Sequence, residues 1–119
     1  MNKKLIQIIE QHLAKIWSER NPSMRLKALD SLYTMDSTLY EVGEIITGHE
    51  LINNKVSAIV NHVPEDFVFT KVAPVMINNN VGKLLWGLGP KGKPPVSTGT
   101  DIAIFENEKI KSLYVFLDE

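Results

Sequence analysis

Asp101 stands in the run Thr98-Gly99-Thr100-Asp101-Ile102-Ala103-Ile104-Phe105, whose alternation reads as a strand near the middle of a sheet. One face of that strand carries Gly99, Asp101, Ala103 and Phe105; the other carries Thr98, Thr100, Ile102 and Ile104. A carboxylate among small and apolar side chains is costly unless it is paired, hydrogen-bonded or protonated. Such a group serves structure by capping a loop amide or pairing with a lysine. Alternatively it serves chemistry, exchanging a proton with a ligand in an apolar pocket. His12 is the second candidate. At about 100° per residue it falls between Ile8 and Ile16, inside the apolar stripe of a helix. It is either a buried histidine with a backbone partner or a polar group pointing into a cavity. Glu41, in Thr38-Leu39-Tyr40-Glu41-Val42-Gly43, alternates with Tyr40 on a short extended piece and reads as a rim residue beside a pocket mouth.

Six aromatic residues are candidates for a ligand-binding wall: Trp17, Tyr33, Tyr40, Trp86, Tyr114 and Phe116. Each also fits plain core. If Asn107-Glu108 is a two-residue turn, Glu106 pairs with Lys109 and Phe105 with Ile110. Asp101 then lies opposite Tyr114, with Phe116 on the same face; a slip of one residue puts Leu113 and Leu117 there instead.

Other patterns carry less. Gly87-Leu88-Gly89-Pro90-Lys91-Gly92 matches a dinucleotide fingerprint in letters. Lys93-Pro94-Pro95 follows it, where a helix would have to begin, so it reads as a flexible hairpin loop. His49 and His62 sit at the two ends of one helix and read as solvated, and the histidines lack metal-ligand spacing. No metal and no organic cofactor is expected.

The elements that must position these residues run helices first and strands after. Residues 3–20 place Leu5, Ile9, Leu13 and Ile16 on one helical face, with Ile8 and Trp17 on its shoulders. Asn21-Pro22 suits an N-cap and first helical position, opening a helix over 22–33 that Asp36 closes. Residues 36–42 are extended. Thr47-Gly48-His49-Glu50 matches a capping box for a third helix over 48–62, with Ile52, Val56, Ile59 and Val60 inward and Pro64 as its stop. Strands follow at 67–72, 81–88, 97–106 and 109–117, with turns at Asn78-Asn79-Asn80 and 89–95. Three helices on one face of a four-stranded antiparallel sheet make one α+β domain over 1–119. The uncovered sheet face predicts a homodimer.

Composition sets the outer bounds. The 119 residues suit one core; hydrophobic residues make up 44% and charged residues 23%. A net charge of -1 leaves no basic surplus to neutralise phosphates, which argues against a nucleic-acid partner. There is no cysteine, and a cytoplasmic setting is the expectation. Gln7, Glu10 and Gln11 interrupt the N-terminal apolar run, so it does not read as a signal peptide, and no run is long enough for a membrane span. Asn21-Pro22-Ser23 carries the proline that forbids glycosylation.

Trp17, Leu32-Tyr33-Thr34-Met35-Asp36, Gly48-His49-Glu50, Leu85-Trp86-Gly87, Gly99-Thr100-Asp101 and Leu113-Tyr114-Val115-Phe116-Leu117-Asp118 occur in this order along nearly the whole chain. Together they resemble the SnoaL-like branch of the nuclear-transport-factor-2-like superfamily, which includes ketosteroid isomerases and polyketide cyclases. The resemblance implies a cystatin-like roll: a curved antiparallel sheet with three N-terminal helices on its concave face, enclosing a cone-shaped pocket. It also implies a dimer through the sheet's outer face. Asp101 matches the strand position that carries a catalytic acid or base in the isomerase and cyclase branches. Glu41 falls near the segment that supplies the isomerase base, and His12 near a first-helix tyrosine donor. The implied activity is cofactor-independent isomerisation, cyclisation or hydrolysis of a small apolar carbonyl compound. A non-catalytic ligand-binding or dimeric adaptor domain is the alternative.

Overall fold

The computed structural model describes residues 2–118. Helix α1 (Lys3–His12) buries Ile8, Ile9 and His12, then widens into a π-helical turn over Leu13–Trp17 that buries Leu13, Ile16 and Trp17. The extra residue in that turn rotates the inward face, so His12 and Trp17 both point under the sheet. Helix α2 (Pro22–Leu32) starts as its sequence predicts: the Asn21 side chain accepts from the amides of Ser23 and Met24 at 2.9 and 3.1 Å. Inside it, the fully buried Arg25 donates to Asn53 Oδ1 at 2.8 Å and to the Glu19 carbonyl at 2.7 Å, tying α2 to helix α3 (His49–Val60). Burial lowers the Arg25 pKa, opposed by Glu19. Arg20 caps the other end of α3, donating to the carbonyls of Val60, Val63 and Pro64. No helix among the described residues is long and apolar enough to cross a membrane.

The α+β class is as the sequence predicts and the curved sheet as the resemblance implies, but the sheet has seven strands rather than four and is mixed rather than antiparallel. They are β1 (Tyr33–Glu41), β2 (Glu44–Thr47), β3 (Phe67–Lys71), β4 (Met76–Asn78), β5 (Val81–Pro90), β6 (Ser97–Glu106) and β7 (Lys109–Leu117). The order is β2-β1-β7-β6-β5-β3, with β4 on β5. All pairings are antiparallel except β1 with β7, which makes the sheet mixed. The helices cover the concave face, where Leu84, Ala103, Phe105, Ile110 and Leu113 meet Ile9, Ile16, Leu29 and Val56 in one core.

Several local expectations are corrected. Tyr33 leaves α2 and opens β1, where its aromatic ring suits a strand. Asp36 therefore ends no helix; it lies in β1 and pairs with Lys111, which holds its carboxyl below the ordinary range. The capping box does not form, because Gly48 at φ +94° takes the cap position and the Thr47 hydroxyl bonds Thr38 Oγ1 at 3.0 Å instead. His49 is half-buried, with Nε2 on the Thr34 carbonyl at 2.8 Å, whereas His62 is exposed. Gly87 and Gly89 belong to β5, and a side chain on either would strike Pro94-Pro95 or Val96. They let the proline loop lie flat against the strand, which is their role in place of phosphate binding.

Candidate functional site

Strand alternation delivers Asp101 to the concave face, paired across β5 with Leu84 and across β7 with Val115. The carboxylate is 4% exposed and both oxygens are occupied from the side. The His12 ring approaches Oδ2 through Nε2 at 2.9 Å. The Trp86 indole N–H donates to Oδ1 at 2.8 Å. His12, 0% exposed, meets the Tyr33 hydroxyl through Nδ1 at 2.7 Å, and Tyr33 itself is buried. The residues form one chain: Tyr33, His12, Asp101, Trp86.

With a neutral imidazole and an ionised Asp101, one proton assignment satisfies each bond of that chain. Tyr33 O–H donates to Nδ1, and Nε2–H donates to Asp101. Burial keeps the Tyr33 phenol pKa well above its ordinary value, the Asp101 charge raises it further, and the Trp17 indole N–H nearby opposes the rise. That N–H makes no hydrogen bond of ordinary geometry among the described residues.

The Trp86 geometry depends on a missing side chain. A Cβ on Gly99 would lie 2.2 Å from Trp86 Cζ2 and 2.6 Å from the Phe116 carbonyl. Gly99 therefore leaves the space in which the indole lies, so that its N–H reaches Asp101 two residues along the same strand.

Asp101 forms part of the wall of a cavity of about 460 Å³ between the helices and the concave sheet face. Trp17, Phe69 and Trp86, in edge-to-face contact at 5.8 and 5.4 Å, make an aromatic side of that wall. Leu13, Ile59, Leu88, Val115 and Leu117 add aliphatic surface. Glu41, Lys55, Ser97, Thr98 and Asp118 supply the remaining polar groups. Glu41 is half-buried, and its pKa is raised by burial, lowered by Lys55, and raised again by Glu44 and Asp101. Its carboxyl thus feels Asp101. Among the described residues no group of side chains has the makings of a metal site.

The candidates divide cleanly by position. Asp101, Glu41, Trp17 and Trp86 line the cavity. His12 lies behind Asp101 and bonds it, Tyr33 lies behind His12 and bonds that, and neither lines the cavity. Tyr40, Tyr114 and Phe116 are on the convex face, which corrects the pairing of Asp101 with Tyr114 and matches the slipped register, with Leu113 and Leu117 on the inner face. The turn at Asn107-Glu108 forms, with positive φ at both residues, and Phe105 pairs with Ile110. Then Ile104 pairs with Ser112, leaving Lys111 as an extra residue in β7. Tyr114 consequently faces Ile102 and stacks on Tyr40 at 4.2 Å, while Val115 takes the place beside Asp101. Lys55 and Phe69 were missed. Lys55 is four residues before Ile59, on the shoulder of the inward stripe of α3, and Phe69 pairs with Leu88.

No family profile matches the sequence, and no curated protein is similar to it at the sequence level. Solved structures are similar in fold. A provisionally named isomerase of the SnoaL-like family from Agrobacterium tumefaciens aligns over 98% of this chain and 98% of its own, with 20% identity and a TM-score of 0.86. A provisionally named SnoaL-like polyketide cyclase from Jannaschia covers 97% and 85% at 9% identity, with a TM-score of 0.78. A cystatin-like-fold protein of unknown function from Methylobium petroleophilum covers 100% and 78% at 12% identity, with a TM-score of 0.76. The chain shares its fold with these proteins, among them structures described as SnoaL-like.

Proposed function

We propose that the cavity binds a small, largely apolar carbonyl compound and that Asp101 moves a proton on it, in an isomerisation, cyclisation or related reaction without a cofactor. The observation that carries this reading is the setting of Asp101: both carboxyl oxygens are met by ring nitrogens, His12 Nε2 and Trp86 Nε1, and the residue lines a mostly apolar cavity. No lysine and no backbone amide among the described residues bonds it, as a purely structural role would favour. Positioned acid–base groups contribute about 10²–10⁴-fold to rate. Glu41, raised in pKa on the same cavity, is the second proton-exchanging group, and His12 positions Asp101 rather than touching the ligand. The cytoplasm is the proposed setting.

Exchange of α-protons for deuterium in a panel of small ketones, followed by NMR, tests this without knowledge of the final product. The protein should accelerate exchange in a compound that binds, and Asp101→Asn should retain binding while losing about 10²–10⁴-fold of that acceleration. Equal exchange in both proteins excludes Asp101 as the base. Binding without exchange in either would make the domain a ligand-binding module.

We also propose that a second copy covers the convex face. Tyr40 and Tyr114 stack there beside Ile45 and Phe116, which are 73% and 55% exposed. Light scattering should give the mass of a dimer, and Phe116→Glu should shift it toward monomer. A monomeric parent protein would overturn the assignment.

A further inference from the structure

Ligand polarity at the cavity mouth comes down to one side chain. Of the polar groups on the cavity wall, Glu41, Asp101 and Asp118 are carboxyls and Ser97 and Thr98 are hydroxyls; Lys55 is the cation. The two indole N–H groups are unavailable, because that of Trp86 is taken by Asp101 and that of Trp17 is buried. Lys55 Nζ donates to Glu44 Oε1 at 2.6 Å, outside the cavity, in a pair whose side chains are 28% and 53% exposed. An ion pair this open to water is weak, so a ligand oxygen can take the place of Glu44 at little cost. The negative groups oppose this less than their number suggests. Asp101 is met by two N–H donors, Asp118 is exposed at the rim and accepts from the Thr98 hydroxyl at 2.6 Å, and burial raises the Glu41 pKa.

We propose that Lys55 is the specificity-determining residue of the cavity, exchanging Glu44 for an anionic oxygen, so that the preferred ligand is an apolar acid: a hydrocarbon or aromatic body in the cavity and a carboxylate or enolate oxygen at the α3 side of the mouth. The assignment rests on the reading of the cavity as a ligand site. It adds the charge that the ligand carries and the residue that meets it. The apolar walls exclude water from the body of the ligand, and Lys55 fixes which end points outward.

Three probes of one shape separate the possibilities: 2-naphthoate, 2-naphthamide and 2-naphthylmethylamine, titrated by tryptophan fluorescence and calorimetry. Naphthoate should bind at least about tenfold more tightly than the amide, the gain of one charge-assisted hydrogen bond. Lys55→Met should remove that preference while leaving naphthamide unchanged. Glu44→Gln should act in the opposite sense, tightening naphthoate about two- to fivefold by freeing Lys55 from a surface pair. A lysine with a merely structural role would not give opposite effects in these two variants. Tighter binding of the amine, or a naphthoate preference that survives Lys55→Met, overturns the proposal while leaving the cavity as a site. Failure of all three probes to bind overturns the cavity reading itself, and this inference with it.

Discussion

The inner and outer ends of the cavity are built on opposite principles. At the inner end Asp101, His12 and Tyr33 are almost wholly buried, and each polar contact to them is made by a ring side chain with few rotatable bonds, packed in the core. At the outer end Glu41, Lys55 and Glu44 are partly open to water, and Lys55 pairs with Glu44 at the surface. Burial strengthens a hydrogen bond and raises the penalty for leaving one unmade. The inner end is therefore fixed in geometry and intolerant of change, whereas the outer end can exchange partners cheaply. A site that must hold a proton-exchanging group still while admitting a ligand needs both.

The contrast can be broken most forcefully at His12. His12→Leu removes the donor to Oδ2 and leaves a buried carboxylate short of a partner. The expected loss is about 3–5 kcal/mol of folding stability, read from denaturant unfolding, and His12→Leu with Asp101→Leu should recover most of it. A loss below about 1 kcal/mol would show that the inner end is not preorganised in this way. Glu41→Gln probes the outer end and should act in the opposite direction. Burial raises the folded-state pKa of Glu41 above its unfolded value, so the stability this group contributes is complete below the unfolded value. It is lost as pH rises through the folded value. At pH 7 the Gln variant should thus be slightly more stable, by about 0.5 kcal/mol or less after allowance for solvent screening, and the gain should vanish near about pH 3. A Glu41→Gln protein less stable than the parent at pH 7 would contradict the sign.

How much of this could be read from the sequence depended on the range of the interaction. Asp101 and Trp86 reach the cavity by simple strand alternation, which involves only near neighbours and is plain in the chain, whereas Trp17 is turned inward by a π-helical residue that the regular helical period does not show. The Asn21-Pro22 start of α2 is equally local. The parallel pairing of β1 with β7 joins residues about 75 positions apart, as Leu39 with Leu113, and no short pattern announces it. Strands β2 and β4, of 4 and 3 residues, are too short to show a period. Thr47 had the right letters for a cap, but the neighbouring glycine's positive φ decided the start of α3. Lys55 was hidden because a lysine at the edge of an apolar stripe looks the same whether it faces water or a cavity mouth.

The extra residue at Lys111 has a further meaning. A strand's side chains behave like a text read in steps of two, and one added letter changes which words fall on each page. Before the bulge, Ile110 faces the core; after it, Leu113, Val115 and Leu117 fall inside, while Tyr114 and Phe116 fall outside. Without that added letter two large rings would occupy the hollow, and the outer surface would hold aliphatic chains. The room for a guest, and the sticky exterior that a twin molecule could grip, both follow from the parity of one hairpin arm.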